Sequence, residues 1–186
     1  MSQITKRAIA EAFVRIMESK PMGKITIGDI AEECGISRMT FYYHFQDIYD
    51  LIEWICREDV KKVYGDKSKY ESWQAGFLSL CRIIYENRKF VRNVYDSFHR
   101  DYLEKYIFEI VYELVLDRVN QLSEGIDISA ENRHYVARFY MYAIVGVTAD
   151  WMKDGFRESP EEMSGRLGAM IEGQVLESIR KLEKHE

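Results

Sequence analysis

Between residues 37 and 44 the chain gathers Ser37, Arg38, Met39, Thr40, Tyr43 and His44: two hydroxyls, a guanidinium, a thioether, a phenol and an imidazole. These groups suit nucleic acid. Arg38 can bond a phosphate or the O6/N7 edge of guanine, and Met39 can touch a thymine methyl. Thr40, Tyr43 and His44 offer neutral donors to phosphate oxygens, which position a protein without reading sequence. A helix beginning at this point adds partial positive charge and free N–H groups at its N-terminus, both suited to an anion.

Two short helices around a tight turn would hold these groups forward. Ile27, Ile30, Ala31 and Cys34 fall at i, i+3, i+4 and i+7, the apolar stripe of one helix. Thr26 stands where its N-cap belongs, with Asp29 three residues on as the partner of a capping box. Gly35 then supplies the residue type that ends a helix in the left-handed conformation at least cost. Ser37 can cap a second helix two residues later. On it Phe41, Tyr42 and Phe45 are expected to face the core, and Met39, Thr40, Tyr43 and His44 to point away. Asp47 can cap the helix that follows. So short a turn forces a steep crossing and pushes the outer face of the second helix toward a major groove. The candidate contacts to double-stranded DNA are Lys24, Thr26, Ser37, Arg38, Met39, Thr40, Tyr42, Tyr43 and His44. The competing reading is an ordinary surface helix, which would rarely expose Met39, Thr40, Tyr43 and His44 together behind a glycine turn.

These residues resemble the DNA-binding region of the TetR family of bacterial transcriptional regulators. Ile30-Ala31, Gly35, Thr40-Phe41-Tyr42, Phe45 and Leu51 match the family's pattern at its spacing, over roughly the first 52 residues. The resemblance implies a DNA-binding head over residues 1–52 and a helical body over 53–186 that dimerises and takes an effector or coactivator. One position departs from the pattern. Where many members carry a DNA-contacting Lys three residues after the Phe, this chain has Ile48, so phosphate affinity is either weaker or supplied elsewhere, for instance by Lys24, Arg38 or Lys6.

Charge constrains how such a head binds. The chain carries a net charge of −5. Within residues 1–48, Lys6, Arg7, Arg15, Lys20, Lys24 and Arg38 balance Glu11, Glu18, Asp29, Glu32, Glu33 and Asp47. DNA affinity must therefore rest on local placement of charge, with modest non-specific binding and a shallow salt slope. Hydrophobic residues make up 47% of the chain and prolines number two, which excludes extended disorder. No apolar run approaches the ~18 residues of a membrane span. The first residues lack a signal-peptide core, so a cytoplasmic location is expected. Cys34, Cys56 and Cys81 sit in apolar contexts without metal-ligand spacing and read as reduced core thiols, with no metal or cofactor expected.

The remainder reads as helix after helix, giving an all-α fold of about nine helices. Expected spans are 3–19, the two short helices, one from about 47 to a Gly65 break, then 70–87, 89–98, 101–123, 130–154 and 160–183. Ser159-Pro160-Glu161-Glu162 is a strong helix start. The last two helices each carry an apolar stripe: Val136, Phe139, Tyr140, Ala143, Ile144, Val147 and Trp151 on one, Met163, Leu167, Met170, Ile171, Val175, Ile179 and Leu182 on the other. Gly165, Gly168 and Gly173 each cost about 1 kcal/mol against Ala in a helix interior, which close helix approach would offset. A homodimer through this pair, reading a near-palindromic operator, is the expectation.

A second resemblance lies in Val145-Gly146, Trp151, Gly155 and Glu158-Ser159-Pro160-Glu161-Glu162, with Asp50-Leu51-Ile52-Glu53-Trp54 after the aromatic run. It is similar to a TetR subgroup that includes activators of dihydroxyacetone-kinase operons, and it implies a kinase-like coactivator protein. Trp54, Tyr64, Trp73, Phe77, Tyr85, Phe98, Tyr102, Tyr106 and Tyr142 could wall a pocket for a small-molecule effector or coactivator. Aromatics at helical spacing are more often core. An enzyme fares poorly, since His44, His99, His134 and His185 are scattered and no nucleophile motif is present. An adaptor that has lost DNA binding finds support only in Ile48 and the neutral head.

Overall fold

Ile9, Phe13 and Met17 recur at helical spacing on α1 (Ser2–Met17) and are all buried, so this helix is the floor on which the N-terminal region assembles. The computed structural model describes residues 2–64, 72–95 and 100–183. A single 3-10 turn, Met22–Lys24, follows α1 and sets Met22 and Ile25 into the same core. Next come α2 (Ile27–Cys34) and α3 (Arg38–His44), both seated on α1. Helix α4 (Ile48–Tyr64) leaves this head and packs against α5 (Trp73–Glu86) and α7 (Arg100–Leu122).

Helix α6 (Arg88–Tyr95) reaches back to α1, where Phe13 and Phe90 meet edge to face at 6.3 Å. Asn93 Nδ2 also donates to Met17 O at 2.9 Å, closing the C-terminal end of α1. The body is completed by α8 (Ala130–Lys153), α9 (Pro160–Ile171) and α10 (Gln174–Lys181). Helix α8 lies along α7, α9 covers α5, and α10 bridges α7 and α8. All regular structure among the described residues is helical, and the helices fall in the expected order.

The last expected helix is interrupted. Gly173 adopts φ 80°, a left-handed conformation, and splits residues 160–183 into α9 and α10. It is thus a turn residue that favours glycine, and the helix-interior penalty expected there does not arise. Gly168 is the buried glycine of α9, where an added Cβ would meet Gln74 Cγ at 3.5 Å. The expected dimer stripes also divide. Val136, Tyr140, Ile144 and Trp151 face the chain's own core, as do Met163, Leu167, Ile171, Val175 and Ile179. Phe139, Ala143, Val147, Met170 and Leu182 remain on the surface. Helices seated on several neighbours bury more than one stripe, so periodicity alone could not separate inner from outer faces.

The Trp151-to-Glu162 motif is a structural corner. Gly155 and Phe156 both take positive φ, 77° and 60°, turning the chain out of α8. Such a conformation is costly for Phe, and its ring is held at 4.9 Å from Trp151 and 6.0 Å from Tyr85. Trp151 Nε1 donates to Glu158 O at 2.9 Å. Ser159 and Glu162 then form the reciprocal cap that starts α9, and Arg82 on α5 pairs with Glu161 at 2.8 Å.

Phe41 is fully buried where α3 meets the head core, against Tyr42 and Phe45. Phe41→Ala should cost about 3–5 kcal/mol of stability, read as a lowered denaturation midpoint by far-UV circular dichroism.

Candidate nucleic-acid interface

The turn between α2 and α3 fixes the geometry of the site. Gly35 takes φ 69° and ψ 31°, and its N–H donates to the carbonyls of Ala31 and Glu32. Ile36 N–H returns to Ala31 O at 2.9 Å, so the end of α2 is closed within one turn. Ser37 Oγ then accepts from Thr40 N–H at 3.0 Å and caps α3. At the far end, Asp47 Oδ1 accepts from the N–H groups of Tyr49 and Asp50 and caps α4 as expected.

The start of α2 is held as tightly. Thr26 Oγ1 accepts from Asp29 N–H, while Asp29 Oδ2 accepts from Thr26 N–H at 2.7 Å and from the Thr26 hydroxyl at 2.8 Å. Lys20 Nζ reaches the same oxygen at 2.6 Å. The Lys20 ammonium, then the Thr26 donors, hold the Asp29 carboxyl down at about 2, below the ordinary 3.8. A second ion pair, Arg15 to Glu33 at 2.9 Å, ties α1 to α2.

On this frame Met39 is 77% exposed and Tyr43 83% exposed, both projecting from α3. Arg38 is exposed, and His44 sits half-buried with its ring edge-on to Tyr43 at 5.1 Å. Tyr42 is 54% exposed, so the expected core position is corrected: Phe41 and Phe45 alone fill the inner face of α3, and Tyr42 lies beyond the stripe they cover. The Thr26 hydroxyl is engaged with Asp29, and Ser37 Oγ meets Thr40 Oγ1 at 2.9 Å, where one of the two gives its proton to the other. Lys24 is exposed at the end of the 3-10 turn. Lys6 places its ammonium over the Phe45 ring, 4.9 Å from the centroid.

Among the described residues, the aromatic side chains expected to wall a pocket in the body do not line one common cavity. Tyr106 lines an apolar cavity of about 50 Å³ together with Cys56, Ile84, Phe90, Leu103 and Ile110. Its hydroxyl accepts from Arg57 Nε at 3.2 Å, joining α7 to α4, and burial pushes the phenol well above its ordinary range. Trp54 instead meets Phe45 at 6.0 Å and lines an open cleft of about 690 Å³ between α1 and α4. Trp73 and Phe77 pack on each other, Tyr85 stacks on Trp151, and Tyr142 is exposed on α8 against Phe108. These residues lie on different faces of the body because their spacing follows several helices, not one. Phe98 falls outside the described residues, as do His99 and the side chains of Tyr64 and Tyr102. The cavity's aliphatic lining was missed because such residues carry no signal apart from core periodicity.

Three comparisons bear on this architecture. Residues 3–55 match the family described as bacterial regulatory proteins, tetR family, and residues 71–173 match the transcriptional regulator C-terminal region. The chain belongs to the TetR family. It is therefore a DNA-binding transcriptional regulator, from a family of regulators and not of enzymes. The HTH-type dhaKLM operon transcriptional activator DhaS of Lactococcus lactis is 31% identical over 177 residues, 94% of this chain and 92% of that protein. The solved structure of a dihydroxyacetone kinase operon activator DhaS superposes with a TM-score of 0.75 at 26% identity, covering 97% of this chain and 99% of that one. A TetR regulator from Streptococcus agalactiae shares the fold at TM-score 0.62 and 17% identity, over 91% of this chain and 94% of that one.

Among the described residues no group of His, Cys, Asp and Glu could hold a metal, and no helix is long and apolar enough to cross a membrane. Burial raises the Cys34 thiol and pushes Cys81 up to about 12, which keeps both protonated at neutral pH.

Because the Asp29 carboxyl is depressed in the folded head, its contribution to stability is full above the ordinary carboxylate value. It is lost as pH falls from about 4 toward about 2. In Asp29→Asn the acid limb of the unfolding curve across that window should become shallower, measured by circular dichroism against pH.

Proposed function

We propose that this TetR-family regulator is a homodimeric, coactivator-dependent activator of a dihydroxyacetone-kinase operon. Residues 1–52 serve as its DNA-binding head and 53–186 as its body. The observation that carries the reading is likeness to DhaS along nearly the whole chain, body included. The narrow core cavity supports it: about 50 Å³ is far below the roughly 300–1,000 Å³ of ligand pockets. Among the described residues, so small a core cavity suits a regulator whose sensing is done by a partner protein, the kinase-like coactivator implied by the resemblance.

Dimerisation is supported by what α8 and α9 leave uncovered. Phe139 is 63% exposed and Met170 75% exposed, beside Ala143, Gly146, Val147 and Ala169. Two heads joined through this face would read half-sites about 34–36 Å apart, or a multiple of that, on a near-palindromic operator. On DNA, Arg38 and Met39 address bases, while Tyr43, His44, Tyr42, Lys24 and whichever of Ser37 and Thr40 keeps a free hydroxyl proton address the backbone; Thr26, whose N–H and hydroxyl are both given to Asp29, holds the start of α2 in place. A conventional repressor released by a small molecule is the second reading. It is favoured by the cleft of about 690 Å³ between α1 and α4, where a ligand would bias the angle between head and body.

Tyr43→Ala should weaken binding to every operator variant alike, by about 1 kcal/mol for one lost phosphate contact. Arg38→Ala should instead remove about 1–3 kcal/mol of discrimination at one position of each half-site. Equal loss across all variants would sink the Arg38 assignment. The functional reading is tested by titrating the protein against promoter fragments from its own operon neighbourhood, at two salt concentrations. Each titration is run with and without dihydroxyacetone and the neighbouring kinase-like protein. Tightening only with that protein present is the result expected of the activator. Tight binding alone, released by dihydroxyacetone, would establish the repressor.

A further inference from the structure

The Arg38 side chain does not extend freely from α3; it lies against Gly28 in the first turn of α2. A Cβ placed on Gly28 would stand 2.6 Å from Arg38 Nη2 and 3.2 Å from both Cζ and Nε. Any residue with a side chain at position 28 would therefore lift the guanidinium from its seat. Among the described residues the guanidinium has no hydrogen bond or ion pair, so its donors are uncommitted and Arg38 is exposed. Gly28 has an ordinary helical conformation, and nothing in its backbone calls for glycine. Glycine forms helix less readily than Ala, though less is lost in this first turn than in an interior, and the room it leaves for Arg38 is the compensation visible here.

We propose that Gly28 is a specificity-determining position for DNA recognition: its missing side chain lets α2 hold the planar Arg38 guanidinium in one orientation toward a guanine edge. A long cationic side chain loses rotamer freedom on binding, and packing it beforehand lowers that cost while fixing which base it meets. Thr26–Asp29 capping and the Gly35 turn hold the two helices in the register this contact needs. The inference rests on the reading that places Arg38 on a base.

The experiment is a double-mutant cycle of wild type, Gly28→Ala, Arg38→Ala and the double variant. Duplexes selected by the wild-type protein from a random-sequence pool serve as probes, together with every single-base variant of the preferred site. Gly28→Ala is expected to weaken the preferred duplex about tenfold and to flatten preference at the same position as Arg38→Ala. In the Arg38→Ala background the same substitution should change binding less than about twofold. Its thermal midpoint should be unchanged or raised, because Ala is the better helix former and only a side-chain end must move. Equal loss in both backgrounds would overturn the proposal, showing that Gly28 acts through its own backbone. No loss from Gly28→Ala beside a clear loss from Arg38→Ala would overturn it as well. An Arg38→Ala protein with wild-type affinity and preference would instead bring down the underlying assignment of Arg38.

Discussion

Everything the head can do depends on how α2 stops. The left-handed Gly35 lets Ala31 O accept from Ile36 N–H, and the chain is free to begin α3 two residues later under the Ser37 cap. A longer exit would let α3 lie beside α2 and bury its outer face. The tight one presents that face to solvent, with Phe41 and Phe45 anchored beneath it. The exposure of Met39 and Tyr43 is thus a consequence of turn chemistry, and it would be costly surface in a protein with nothing to bind there.

Helix α1 carries that head to the body. Its inner stripe serves α2 and α3, while its C-terminal end is met by Phe90 and Asn93 of α6. Helix α4 makes the second connection, fastened to α7 through Arg57 and Tyr106. The first link joins an aromatic contact to a hydrogen bond and the second rests on a hydrogen bond, while Trp54 and Arg7 line the cleft between α1 and α4. Movement of one body helix against another would reach DNA through links of this kind.

Much of the head was legible in sequence because local rules decide it. Capping residues, the glycine turn and the apolar stripe all act within a few residues, and each landed where the pattern placed it. Tyr42 escaped because a seven-residue helix seated on α1 and α2 buries only a narrow stripe, and α1, which helps set its width, is distant in sequence. The separate placement of the described body aromatics escaped for a related reason. Tyr85, Tyr106 and Tyr142 look alike along the chain, yet one stacks on Trp151, one lines a small cavity and one faces outward. Which face a body helix turns inward depends on how many partners it meets.

The sequence by itself determined the helical class, the order of the elements, the capped turn and the residues gathered on α3, since hydrophobic period and cap chemistry are local properties. Tertiary structure alone decided which apolar residues of α8 and α9 stay uncovered, where the last helix breaks, and that Arg38 comes to rest on Gly28. These are contacts between segments far apart in the chain or across a turn. Their energies come from mutual packing, which no residue carries until its neighbour is in place.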